Sequence, residues 1–386
     1  MTVKKKIKGH RFFRISAKVL NILAVIALLC AYLASYISPA HYLIFAFFGL
    51  AYPYILLVNL FFVILWLVFW KRFIWISFIV IILGYNHILT IFQYRNTSSI
   101  SNIPAGSIKI LSYNVHSLYE IHKPNEKMPA KGSMLSKVTD FLVQQNPDIL
   151  CIQEFFLRSE DSLKVLQKFT RGLHTNFYSI KNYQEIRDKR KIFAIATFSR
   201  FPIIGSGEIR ASDNNTFANY TDLIIGRDKI RVYNIHLESI RFGRDDYSFY
   251  AQLTDQAKDP SENFSFRQGL YMILYKLKRA FIIRANQVDL LEENIKRSPY
   301  PVVICGDFND TPASYTYHEM ISGFHDSYCQ AGTGFLGSTY AGSFPSFRID
   351  YILYNGAFTA YNYRKSSIDL SDHYPIQVYL KKTTSH

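Results

Sequence analysis

The sequence predicts an α/β domain preceded by three transmembrane helices, and three observations carry that reading. Long uncharged apolar runs fill the chain up to Phe92, and no Asp or Glu occurs before Glu120. Beyond Ser107, short β-prone runs alternate with helical spacing, as in an α/β domain. Five of those β-prone runs end on Asn, Glu, His, Asp/Asn or Asp/His, so strand ends deliver a set of polar groups.

Residues 1–18 form a basic N-terminus with seven Lys/Arg, followed by a membrane region over residues 19–92. The run Val19–Ser38 has 20 uncharged residues, Tyr42–Trp70 has 29 and contains Pro53, and Phe73–Phe92 has 20. At ~1.5 Å per residue each is long enough for ~30 Å of hydrocarbon. The middle run is too short to cross twice, so the expected spans are 19–38, 42–70 (tilted or kinked at Pro53) and 73–92. The first leads almost directly into the second, which argues against a cleaved signal peptide. The basic N-terminus and Lys71-Arg72 mark the cytoplasmic side, and Pro39-Ala40-His41 carries no Lys or Arg. Three crossings then put everything after Phe92 outside the cytoplasm of a bacterial-type inner membrane. The lipid bilayer is the standing partner, and no obligate protein partner is inferred. Asn59, Asn86 and His87 inside the runs fit helix–helix hydrogen bonding, with an intramembrane site as the alternative.

The formal charge of +15 comes from 44 Lys/Arg against 29 Asp/Glu. Residues 1–119 hold 11 of the basic residues, leaving 33 basic against 29 acidic beyond them, a net +4. Basicity is thus mainly a topology signal, and the domain lacks the strong positive footprint of a dedicated nucleic-acid binder. Cys30, Cys151, Cys305 and Cys329 show no metal-binding spacing and read as small hydrophobes rather than a disulfide framework.

Residues 93–106 read as a polar Ser/Asn-rich linker, and a globular domain spans residues 107–383. Ile108–Asn114 and Asp148–Gln153 are expected strands, with a helix over Ser133–Gln145 stopped by Asn146-Pro147. Phe193–Phe198, Asp222–Gly226 and Ile230–Leu237 follow as strands. Phe242–Phe264 is an insertion where recognition loops are expected. Phe266–Ile295 is a long helix whose Lys276, Lys278, Arg279 and Arg284 interleave with apolar residues; core packing is the default and a membrane-surface helix the alternative. Strands Val302–Cys305, Ile349–Tyr354 and Ile376–Leu380 complete the domain.

The strand ends carry the chemistry. Asn114, Glu154, His236, Asp307 with Asn309, and Asp372 with His373 supply hard oxygen donors suited to Mg²⁺ or Mn²⁺ and imidazoles suited to a phosphate or a leaving group. Each has a plainer reading. Asp307 and Asp372 would cap turns, Glu154 would end a strand in solvent, Asn114 would form an Asx turn, and His236 would be a satisfied core histidine. His116 and His122 read as surface groups in a loop, and Tyr315 as a packing residue.

Taken together, SYNVH, IQE, NIHLES, GDFND, RIDYIL and SDHYP resemble, in order and spacing, the endonuclease/exonuclease/phosphatase superfamily over residues 107–383. The resemblance implies a four-layer α/β sandwich of two face-to-face β-sheets and a divalent-metal-dependent phosphoester hydrolase using Mg²⁺ or Mn²⁺. By resemblance Glu154 is the principal metal ligand, Asn114 helps hold metal or phosphate, and Asp372 is a second carboxylate near the metal. Asp307 orients or deprotonates water, Asn309 contacts phosphate, Asp350 orients His373, and His373 and His236 face the phosphate or the leaving group. Arg348 and Arg284 either line the phosphate site or tie loops together. The expected substrate is a phosphoester, either a lipid head group or, as the alternative, DNA or RNA. A non-catalytic membrane module is the reading from another class, and the intact motif residues argue against it.

Overall fold

The computed structural model describes residues 2–93, 102–116, 133–158, 162–182, 191–211, 214–240, 266–342 and 346–383. His122 and the 242–264 insertion lie outside the described residues, as does most of the expected linker. The chain divides into two compact units, residues 1–91 with 311–318, and residues 92–310 with 319–386.

In the first unit the helices are α1 (Thr2–Leu33), α2 (Ile44–Leu50), α3 (Tyr52–Phe69), α4 (Trp75–Leu83) and α5 (Tyr85–Ile91). Two stretches among the described residues are long and apolar enough to cross a bilayer, Phe12–Leu33 and Tyr52–Phe69. The expected third span differs. The chain bends by 65° between Leu83 and Tyr85, so 73–92 is not one straight helix. Gly84 sits at that bend against α1, where a Cβ would lie 2.0 Å from the Tyr32 hydroxyl. The middle run is also broken, at Ala51, just before Pro53 in the first turn of α3.

Several polar side chains of this unit are buried among its helices, while many of its large apolar ones are exposed. Asn21, Asn59, Ser77 and Trp66 are all fully buried. The Trp66 indole donates to Asn21 Oδ1 at 2.7 Å, the Ser77 hydroxyl donates to Asn59 Oδ1 at 2.9 Å, and Asn59 Nδ2 reaches Ala24 O of α1 at 2.9 Å. Ile22, Ile26, Phe61, Ile64 and Ile82 point outward. In hydrocarbon, helices gain little from apolar contact and associate through such hydrogen bonds. His87 stacks on Tyr32 with ring centroids 5.0 Å apart. Asn59 therefore takes the helix–helix role.

The second unit holds two six-stranded mixed sheets. Sheet one orders its strands β13 (Phe358–Lys365), β14 (Ile376–Lys382), β2 (Ile108–Asn114), β3 (Ile149–Arg158), β5 (Lys191–Ser199) and β4 (Phe177–Asn182). Sheet two orders β10 (Phe324–Asp326), β12 (Asp350–Asn355), β9 (Val302–Asp307), β8 (Asp228–His236), β7 (Thr216–Ile225) and β6 (Ile203–Arg210). Only β2–β3 and β8–β9 pair in parallel among these ladders.

Strand alternation explains the layers. Ile108, Ile110, Ile149 and Cys151 of sheet one meet Val232, Val303, Cys305 and Ile352 of sheet two in the central core. Their neighbours Leu111, Tyr113, Leu150 and Ile152 face the other way, onto Val138 and Leu142 of α6 (Ser133–Gln145) and Phe169 and Leu173 of α7 (Ser162–Leu173). Strands buried on both faces read as near-continuous apolar runs, which is why these were visible in the sequence. The long helix α8 (Phe266–Lys296) is tied to sheet two, where the Tyr233 hydroxyl donates to Asn294 Oδ1 at 2.8 Å. The short helices α9 (Tyr315–Ile321) and α10 (Ser327–Ala331) follow β9 and β10. Two short strands, β1 (Phe92–Gln93) and β11 (Gly334–Phe335), pair with each other, so Gln93 is strand rather than free linker.

Candidate active site

Register brings the polar strand ends to one place. In sheet two His236 pairs opposite Asp307 across the parallel β8–β9 ladder, and Asp350 lies opposite Asp307 across β12–β9. In sheet one, parallel β2 and β3 align Asn114 with Gln153, one residue before Glu154. The sheets meet there, because Asn114 Nδ2 donates to Asp307 Oδ2 at 3.0 Å and to Glu154 Oε1 at 3.2 Å.

Local backbone chemistry aims these groups. Glu154 has φ of +52° at an irregularity of the β3–β5 ladder between Ile152 and Phe155. That conformation is costly for a non-glycine residue and redirects its side chain. The bulge is held from behind by Gln153, whose Nε2 donates to Asn234 Oδ1 of the opposite sheet at 2.6 Å. Asn234 Nδ2 in turn donates to Ala196 O at 2.9 Å and Ile152 O at 3.2 Å. Gly306 has φ of +143°, and a Cβ there would lie 2.0 Å from Ile235 O, so only glycine lets β9 approach β8 this closely before Asp307.

Asp307 is fully buried at the centre. Its Oδ2 accepts from Asn309 Nδ2 at 3.1 Å, and its Oδ1 accepts the Asn309 N–H at 2.8 Å. Asn309 reaches it through a left-handed turn with φ of +53°, not along an extended segment. His236 Nε2 lies 3.5 Å from Glu154 Oε1 and 3.7 Å from Asp307 Oδ2. His373 Nε2 is 3.7 Å from the same Asp307 oxygen, while its Nδ1 is held by Asp350 Oδ2 at 2.9 Å. Burial first, and then the Asp350 charge, push the Asp307 carboxyl up to about 6, against the opposing pull of His373, His236 and Asn114. Burial would lower the His373 imidazole, but Asp350 and Asp307 outweigh it and hold the group well above the usual imidazole range. The result is a buried carboxyl and an adjoining imidazole, each held above its ordinary range.

The SDH segment is braced on both sides. Ser371 Oγ donates to Asn114 O at 2.8 Å and the Tyr374 N–H donates to Thr339 O at 2.7 Å, while Thr339 Oγ1 accepts the Ile349 and Asp350 N–H groups at 3.0 Å each and so ties the start of β12 to the same residue. Tyr340 pairs with His373 in an isolated bridge and sets its ring edge-on, 5.4 Å away. Asp372 turns to His116, with Oδ1 3.0 Å from Nδ1. Burial raises the Asp372 carboxyl, but the His116 hydrogen bond and the His373 charge outweigh it and hold it below its ordinary value. His116 is exposed, as expected of a surface group, and makes this contact from the rim of the site. The signal available was its position two residues after Asn114 at a strand end.

Arg284 and Arg348 tie loops. Arg284 is 1 % exposed, pairs with Asp310 Oδ2 at 3.1 Å and donates to Glu238 O at 3.0 Å. Gln287 on the same helix accepts the Glu238 N–H at 2.9 Å. These contacts join α8 to the segments following His236 and Asn309. Arg348 is 2 % exposed and ion-paired with buried Asp326. Of the two readings open in the sequence, the loop tie is the one this geometry displays.

Asp307, Asp350 and His373 each offer an atom within 4.8 Å of one another, a grouping able to hold a metal. The wider set fits a hard divalent ion too, since Glu154 and Asp372 add carboxylates and Glu154 keeps a side chain 26 % exposed. As oriented, Asn114 turns its amide N–H groups to the carboxylates and its Oδ1 accepts the His116 N–H at 3.0 Å.

A two-sheet α/β sandwich with carboxylates, amides and two imidazoles converging at one edge defines a metal-dependent phosphoester hydrolase. The chain belongs to the endonuclease/exonuclease/phosphatase family, which matches residues 111–373. A domain of unknown function matches residues 10–91. Among curated proteins none matches the chain. Similar solved structures include a family protein from Leptotrichia buccalis, at 15% identity over 71% of this chain and 99% of that one, with a TM-score of 0.47. A mannosyl-6-phosphatase from Bacteroides thetaiotaomicron shows 17% identity over 71% and 100%, with a TM-score of 0.47. The human nocturnin catalytic domain with bound sulfate shows 16% identity over 73% and 97%, with a TM-score of 0.49.

Proposed function

We propose that this protein is a membrane-anchored Mg²⁺- or Mn²⁺-dependent phosphoester hydrolase that works outside the cytoplasm on a lipid head group or another membrane-associated phosphoester. The observation that carries the hydrolytic reading is Asp307, buried and raised to about 6, contacted at once by Asn114, Asn309 and the two imidazoles. Glu154 and Asp372 would hold the ion, with Asn114 between Glu154 and Asp307. The bound ion supplies neutralisation of phosphoryl charge and a lowered water pKa. Asp307 takes the proton of the attacking water as the new P–O bond forms, matching a base poised near the working pH. His373, kept cationic and oriented by Asp350, donates to a non-bridging phosphoryl oxygen whose charge grows in the transition state. His236 lies on the Glu154 side, placed to protonate the leaving oxygen as the ester P–O bond breaks.

The membrane part rests on the two apolar helices and on counting the bent pair Lys71–Leu83 and Tyr85–Ile91 as a third span. With a basic N-terminus inside, three crossings put the hydrolase outside. Tethering to a bilayer raises the effective concentration of head groups over soluble polymers, and a net charge of +4 beyond residue 119 supplies few of the phosphate contacts that nucleic acid binding needs.

The full chain in Mg²⁺-containing proteoliposomes, assayed on phospholipids, sugar phosphates, and single- and double-stranded DNA, tests the substrate reading. Lipid turnover lost in Asp307→Ala is the expected result; Asp307-dependent DNA cleavage without lipid turnover would establish a nuclease instead. A C-terminal alkaline phosphatase fusion should be active and a fluorescent-protein fusion dark. The opposite pattern would make the bent pair re-entrant and the domain cytoplasmic.

A further inference from the structure

The first turns of α8 carry apolar residues on every side. At 100° per residue, Leu270 and Leu274 continue the stripe that farther along buries Leu277, Phe281 and Val288. Yet Leu270 and Leu274 are 41 % and 42 % exposed, and Tyr271, Met272 and Tyr275 on the other sides are 69 %, 45 % and 56 % exposed. The core stripe has run past the body it packs on. A helix apolar all round is stable only when something covers it.

Charge selects the cover. The chain has no carboxylate between Glu262 and Asp289, while Arg267 and Lys278 are exposed along this stretch, as is Arg279, whose guanidinium lies 3.8 Å from the Glu238 carboxylate. Tyrosines beside aliphatic residues, backed by a ring of cations, are what a helix presents to a lipid interface. A second copy fits less well, because a two-fold self-contact would set these cations against their own counterparts. Lipid is also at hand, since the same chain carries two helices of bilayer-crossing length.

We propose that the α8 segment from Leu270 to Tyr275 docks into an anionic bilayer surface, with Tyr271 and Tyr275 at head-group level and Arg267, Lys278 and Arg279 against lipid phosphates. The core-packing expectation for the helix holds along most of its length, with Leu277, Phe281, Val288 and Leu291 buried, and the proposal concerns the exposed face of its first turns. It rests on the membrane reading of the apolar helices but not on any choice of substrate.

The test places p-benzoylphenylalanine at Tyr271, Tyr275 or, as a control, exposed Asn286 in the full chain. The chain is reconstituted in phosphatidylcholine vesicles with or without phosphatidylglycerol, irradiated, and its adducts are identified by mass. Lipid adducts at 271 and 275 several-fold above those at 286, falling when phosphatidylglycerol is omitted or Lys278→Glu is added, are expected. Adducts to a second chain, adducts to residues 241–265, or none above the control would overturn the docking. Alkaline extraction of the same vesicles separates the two premises. Release of the chain would overturn the membrane reading and the docking with it, whereas retention without lipid adducts would overturn the docking alone.

Discussion

The Asp350 carboxylate holds His373 Nδ1 at 2.9 Å, which leaves Nε2 facing Asp307 Oδ2 at 3.7 Å. One imidazole thus stands between two buried carboxylates, and its charge and its aim come from the same contact. Asp350→Asn keeps the shape but removes the charge. A fall in kcat of about 10²-fold or more is expected, with circular dichroism and Tm close to wild type. Unchanged kcat would remove Asp350 from the assigned mechanism.

Gly306→Ala tests the close approach of β8 and β9. A methyl group cannot occupy a point 2.0 Å from the Ile235 carbonyl oxygen, and φ of +143° is open essentially only to glycine. The expected cost is about 3 kcal/mol or more of stability, read as a lowered Tm or loss of folded protein.

Metal binding is read best without turnover. Chelation should abolish activity and Mg²⁺ restore it, and Mg²⁺ should raise Tm in a concentration-dependent way, because ligand that binds only the folded state stabilises it. Glu154→Gln should lose most of that rise and Asn309→Ala keep it. Equal rises in both variants would move the ion away from Glu154.

Arg348 and Asp326 form an ion pair in which both residues are at most 3 % exposed. Arg348→Met alone leaves a buried carboxylate uncompensated and should cost about 3–5 kcal/mol by denaturant unfolding. Adding Asp326→Leu should recover part of it, only part because Asp326 Oδ1 also accepts the Tyr328 N–H at 2.9 Å. KM of the folded single variant should hold; a large rise in KM would return Arg348 to the substrate phosphate.

Much of the domain was legible because its central strands are buried on both faces and end on polar residues. Ile108–Asn114 is the same in sequence and structure, and Ser133–Gln145 is the same helix. Strands β4, β6 and β13 went unread: β6 alternates exposed and half-buried residues with two glycines, and β13 carries a register irregularity between Tyr361 and Arg364. The residues that converge at the strand ends were legible by motif, but their contacts were not. The His116–Asp372 contact joins residues 256 positions apart in the sequence, and Asn309 uses a left-handed turn that spacing does not announce. The third apolar run hid its bend because Gly84 matters only once Tyr32 is beside it.

The Gln153–Asn234 hydrogen bond joins the two sheets through side chains with no exposure at all. Strand positions come in steps of ~3.3 Å, so the two sheets can engage through this pair in one alignment and in no neighbouring one. Glu154 rides on the strand of Gln153 and His236 on that of Asn234. Random variation at this pair would therefore be selected against twice, as lost stability from the buried polar partners left unpaired and as lost turnover from the shifted strand ends, and a survey of tolerated substitutions would score two solvent-inaccessible amides alongside the groups of the site itself.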